Sequence, residues 1–140
     1  MARGCIVTVE LVSVFYSGKN IGKEWEFTLA ITPPGKSIHV PKHTLNHNTT
    51  EYYNLDVVKR MHVSGDAGPQ LKMLITAKEH DWLVDDVVNH RVLTPVYELT
   101  DEPVTHSFFT RFLIDEKPVV IPRIAKLEFR FAITMQSVNQ

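Results

Sequence analysis

The stretch "EWEFTLAIT", residues Glu24–Thr32, alternates without a break. Trp25, Phe27, Leu29 and Ile31 share one parity; Glu24, Glu26, Thr28 and Ala30 share the other. A strand turns successive side chains to opposite faces, so period two gives one apolar face and one wet face. An antiparallel sheet with one side on a core has this pattern. "AKLEFRFAIT" (125–134) repeats it, with Leu127, Phe129, Phe131 and Ile133 set against Lys126, Glu128, Arg130 and Ala132.

Other runs follow the same rule. "QLKMLITAK" (70–78) aligns Leu71, Met73, Ile75 and Ala77, and "THSFFTRFLI" (105–114) aligns His106, Phe108, Thr110, Phe112 and Ile114. In "CIVTVELVSVFY" (5–16), Val7, Val9 and Leu11 share one parity, while Val12, Val14 and Tyr16 share the other. The switch at Leu11–Val12 predicts a β-bulge. "YYNLDVVKRMHV" (52–63) reads as a further strand, and two short strands are expected at 36–40 and 90–99. Turn signals separate the runs: "SGKN" at 17–20, "PPGKS" at 33–37, "SGDAGPQ" at 64–70 and "DEKP" at 115–118. No helical periodicity of ten residues or more interrupts them. The pattern predicts an all-β fold, an eight-stranded antiparallel β-sandwich, with residues 1–140 as a single domain.

Composition narrows the function classes. A hydrophobic fraction of 44% with 22% charged residues suits a folded globular chain and argues against disorder. The net charge of -1 supplies no general basic field, so nucleic acid is not an expected partner. Seven histidines give a reserve of positive charge as pH falls below neutral. The one cysteine, Cys5, cannot form an intramolecular disulfide, and no run approaches the ~20 apolar residues of a membrane span. A cytoplasmic location is the expectation, and a secreted mature form would look the same.

"KEHDWLVDD" (78–86) places Glu79, Asp81, Asp85 and Asp86 around Trp82. A strand, "LKMLITAKEHD", runs into "WLVDDVVNHRVL"; a long first strand leads by a loop to "EWEFTLAI"; "AKLEFRFAI" closes the chain. This order resembles the C2 domain, in which an acidic residue, any residue and Asp end a strand before a loop carrying another Asp. The resemblance implies an eight-stranded sandwich whose end loops contact membranes or proteins, in many cases through calcium. Glu79, Asp81, Asp85 and Asp86 would then be the calcium ligands. Calcium takes six to eight oxygens, mostly carboxylate. The first loop of such domains supplies two more Asp, and here "YSGKNIGKEW" supplies none, bringing Lys19 and Lys23 instead, which oppose a cation. No cofactor is therefore expected, with calcium as the one alternative.

Lys59, Arg60 and His62, with Lys42, make a small basic cluster. With Trp82 they are candidate contacts for a phospholipid headgroup or a protein partner. Each basic side chain near an anionic surface contributes about 1 kcal/mol, so the cluster alone gives weak attachment, and a plain solvated strand face is the simpler reading. "HTLNHN" places His43 and His47 four apart near His39, but its Asn and Thr favour a surface loop over a zinc helix. "HDWLVDDVVNH" offers a mixed His80, Asp81, Asp86, His90 set whose spacing is not diagnostic. Enzyme motifs are absent: no G-x-S-x-G, no phosphate-binding glycine loop, no H-E-x-x-H. The expected function is a non-enzymatic, calcium-independent binding module that engages a membrane surface or protein partner through its end loops. The alternatives are a subunit of a homo- or hetero-oligomer that uses a sheet face or edge, and a calcium-dependent phospholipid-binding domain.

Overall fold

The computed structural model describes residues 2–19, 22–33, 35–80, 85–116 and 123–138. They form eight strands: β1 (Ala2–Lys19), β2 (Glu24–Thr32), β3 (Lys36–Thr44), β4 (Thr49–Ser64), β5 (Lys72–His80), β6 (Asp85–Leu93), β7 (Val104–Glu116) and β8 (Arg123–Val138). The first sheet has the order β4-β1-β8-β7 and the second β3-β2-β5-β6, and every pairing is antiparallel. This is the eight-stranded C2-like β-sandwich that the alternation and the resemblance predict. No helix among the described residues is long and apolar enough to cross a membrane.

The inward parities are those of the sequence. Trp25, Phe27, Leu29 and Ile31 from β2, Leu71, Met73, Ile75 and Ala77 at β5, and Leu127, Phe129 and Ile133 from β8 are fully buried. The register of β1 shifts between Leu11 and Ser13 against both β4 and β8. This is the expected bulge. It lets Val7, Val9 and Leu11 before it, and Val14 and Tyr16 after it, all face the core.

Two expectations need correction. The strand expected at 90–99 instead spans Asp85–Leu93. Pro95 has no N–H for a ladder and disfavours its continuation. Thr94 closes the strand: its N–H donates to the Leu71 carbonyl at 2.9 Å, and its hydroxyl accepts the Leu71 N–H at 3.1 Å. Beyond it, Glu98 makes only an isolated bridge to Ala67. The strand expected at 36–40 extends to Thr44, because the β2–β3 register slips between Trp25 and Phe27 and absorbs Pro41 and Lys42 as a bulge. His43 consequently lies in a strand, not in a surface loop. Proline is tolerated there because β3 is an edge strand.

At both open sides of the sandwich a histidine of the second sheet meets a hydroxyl of the first. At the β3/β4 side, His43 donates from Nδ1 to the Pro41 carbonyl at 2.9 Å, so its Nε2 accepts from the Tyr53 hydroxyl. At the β6/β7 side, the His90 Nε2 lies 2.7 Å from the Thr110 hydroxyl, and its ring stacks on Phe112 at 4.6 Å. Burial lowers the His90 pKa. The unfolded chain takes that proton near pH 6.5, so it binds more protons than the folded chain just below this point. The His90 contribution is thus complete above about pH 6.5 and is lost as pH falls through it. Melting curves from about pH 7.5 to about 5.5 should show a decline that His90→Asn flattens. Equal slopes in the two proteins would contradict this.

Candidate functional site

Four connections leave the sandwich at one end: β1 to β2, β3 to β4, β5 to β6 and β7 to β8. The register fixes this. Tyr16 on β1 is opposite Leu127, which is opposite Phe112; Trp25 on β2 is opposite Glu79, which is opposite Asp86. Tyr16 and Trp25 then meet edge-on between the sheets, with ring centroids 5.3 Å apart.

Beneath these connections lies a buried polar floor. The Tyr16 hydroxyl donates to the Gly22 carbonyl at 2.8 Å, fastening the β1–β2 connection to β1. Glu79, 1% exposed, fills the space beside Gly22: a Cβ at position 22 would lie 1.9 Å from its Oε1. His47 packs its ring 4.9 Å from that of Tyr16. Asn48 adopts the left-handed backbone region (φ 57) that Asn tolerates, and its N–H donates to the Tyr16 carbonyl at 2.7 Å. The Leu45 N–H donates to the Lys23 carbonyl at 2.7 Å, tying the β3–β4 connection to β1–β2. Burial, with a smaller addition from the nearby Glu79 charge, pushes the Tyr16 phenol up to about 12; the Trp25 indole N–H acts in the opposite sense. Tyr16 is a neutral structural donor throughout the physiological range.

Of the carboxylates read as calcium ligands, Glu79 points inward into this floor. Asp81 lies outside the described residues, as does Trp82. Asp85 and Asp86 open β6, opposite His80 and Glu79, and their side chains are not among those described. Among the described residues, no three His, Cys, Asp or Glu side chains are gathered as metal ligands. The basic residues are dispersed. Arg60 and His62 share one side of β4, opposite Ile6 and Gly4, whereas Lys59 is opposite inward-facing Val7. Lys42 is exposed on β3, in the other sheet.

The outward face of the second sheet holds a charged group that sequence reading missed. Glu26 receives His80 Nε2 at 2.8 Å on one oxygen and His39 Nε2 at 3.3 Å on the other. The His80 hydrogen bond, with the charges of His39, His80 and Lys78, holds the Glu26 carboxyl below its usual range. Its contribution to stability is therefore present above about pH 4.5 and lost below, a window separate from that of His90. Alternation alone placed Glu26 outward, but nothing in the sequence aligned two histidines from β3 and β5 with it.

No family model and no curated protein matches the chain. Among solved structures, it is similar to human GIVD cytosolic phospholipase A2 in complex with methyl gamma-linolenyl fluorophosphonate and terbium chloride. The identity is 12% and the TM-score 0.49, over 99% of this chain and 18% of that one. The chain thus spans less than a fifth of the phospholipase. It is also similar to a C2 domain protein from Ramazzottius varieornatus, at 14% identity and a TM-score of 0.36, over 94% of this chain and 91% of that one.

Proposed function

We propose that the chain is a non-catalytic C2-like module that docks on an anionic membrane surface through its loop end, without calcium. The observation that supports this reading is what the topology gathers at that end. The connection from His80 to Asp85 has the sequence Asp81-Trp82-Leu83-Val84, and that from Glu116 to Arg123 is Lys117-Pro118-Val119-Val120-Ile121-Pro122. Both carry apolar runs, and Lys19, Lys23 and Lys117 belong to the same end. Tryptophan favours the headgroup level, and lysines add attraction to acidic lipids. Lys23 in the β1–β2 connection and Lys19 at the end of β1, where a calcium site needs carboxylates, support the calcium-independent form.

Co-sedimentation with phosphatidylserine-containing and pure phosphatidylcholine vesicles tests this. In chelator, binding to the acidic vesicles is expected, with at least a several-fold loss for Trp82→Ala and a further loss at high salt. Binding that appears only on adding calcium would restore the calcium-dependent reading. No binding under either condition would remove the membrane and leave a protein partner.

A further inference from the structure

The middle rows of the first sheet's outward face carry their charge in two separate halves, with Arg60 and His62 further along β4, opposite Ile6 and Gly4. On β1 and β4, Glu10 and Asp56 are direct cross-strand partners. Like charges placed opposite one another destabilise a sheet, and among the described residues neither carboxylate has an ion-pair partner. On β7 and β8 the imbalance is reversed. Arg111 Nε lies 3.4 Å and Arg130 Nη2 2.9 Å from the one carboxylate of Glu128. Two guanidiniums on one carboxylate leave a positive charge uncompensated.

The ground between the halves is low and partly apolar. One row across the sheet reads Asp56, Glu10, Ala132, Ser107; the next reads Tyr52, Ser13, Arg130, Phe109. Ser13 and Ala132 are small. Tyr52 and Phe109, at the two margins, are 74% and 53% exposed, and the Arg130 guanidinium lies 5.6 Å over the Phe109 ring. Aromatic residues and arginine are enriched in interfaces relative to the rest of a protein surface.

We propose that this face forms a two-fold symmetric dimer with a second copy of the chain. A face with unlike charge in its two halves is a poor match for a uniformly anionic surface but complements itself. A two-fold axis running diagonally across the Ser13–Ala132 region turns Glu10 and Asp56 of each copy onto Arg130 and Arg111 of the other. Such an interface is isologous, with each contact made twice. A standard interface takes about 800 Å² from each subunit, about a tenth of the 8030 Å² surface of this chain. The face is distinct from the loop end, which the dimer leaves free.

Light scattering on the full chain, at micromolar and near-millimolar concentration, tests this. The mass is expected to double from the 16.0 kDa of the single chain as concentration rises. Two charge-reversed variants, R111E/R130E and E10K/D56K, should each stay at single-chain mass while keeping the wild-type near-ultraviolet spectrum. Mixed in equal amounts they should regain the doubled mass, because each now complements the other twice. Wild-type protein that remains single at the highest concentration overturns the proposal. So do folded variants that dimerise alone, which would place the contact on another surface, or a mixture that stays monomeric.

Discussion

Phe129→Ala is expected to lower the unfolding free energy by about 4 kcal/mol, the middle of the range for a core aromatic cut to a methyl group. Phe129 is fully buried on β8, opposite Val14 of β1 and Thr110 of β7. Its ring meets Phe27 of the other sheet edge-on at 4.9 Å and stacks on Phe112 of its own at 5.6 Å. The ring therefore spans the space between the layers. Strand ladders on both sides of β8 hold that space open, so its neighbours cannot close the cavity. Urea denaturation followed by tryptophan fluorescence measures the loss, and Leu93→Ala is the control. Leu93 is 54% exposed, so its truncation should cost less than about 1 kcal/mol. Similar midpoints for the two variants would show that Phe129 does not have this central role.

The second large effect is expected at Gly22. An alanine there brings its Cβ within 1.9 Å of Glu79 Oε1, closer than any real contact. A surface carboxylate would swing aside. Glu79 is 1% exposed at the end of β5, and moving it disturbs the floor that Tyr16 and Trp25 share. Overpacking of this kind typically costs 1–3 kcal/mol, so Gly22→Ala should lose about 2 kcal/mol or more. The test is a double-mutant cycle with Glu79→Ala, which empties the contested space. The double variant should be more stable than the sum of the two single losses implies, by at least about 1 kcal/mol. Strict additivity would mean that the two positions do not touch. The cycle can be repeated on vesicle binding, because Gly22 belongs to a connection at the loop end.

The same residues show how far the sequence could be read. Period two was sufficient for β2, β5 and β8 because each is a central strand with one wet face and no irregularity inside the alternation. Glu79 was legible too. It continues the odd parity of Leu71, Met73, Ile75 and Ala77, so the alternation already turned it inward, away from the acidic loop it was grouped with. His43 was less legible, because the bulge at Pro41–Lys42 flips its parity relative to Ile38 and Val40. Its partner Tyr53 lies across a gap between sheets, and no local spacing encodes that contact. The Glu26 group and the opposed charges on the first sheet are likewise products of register. Glu10 and Asp56 are 46 residues apart in the chain and adjacent only because β1 and β4 pair as they do.

The bulge in β1 has a consequence for how this strand can change length. An alternating strand has a phase, and adding or removing one residue advances it by half a cycle. β1 is arithmetically a regular strand of period two with one residue inserted among its 18. Without Val12, Val7, Val9, Leu11, Val14 and Tyr16 would all fall on one parity, and Leu11 and Ser13 would follow one another against Phe131 and Arg130. A deletion elsewhere in the strand interior would turn part of this set outward. A single deletion at the bulge thus keeps the inward set and the β8 register, whereas against β4, where Leu11 and Ser13 meet Leu55 and Tyr52, the ladder has to shift. The extra residue also increases local twist, so it can re-aim the loop end while the inward set stays the same.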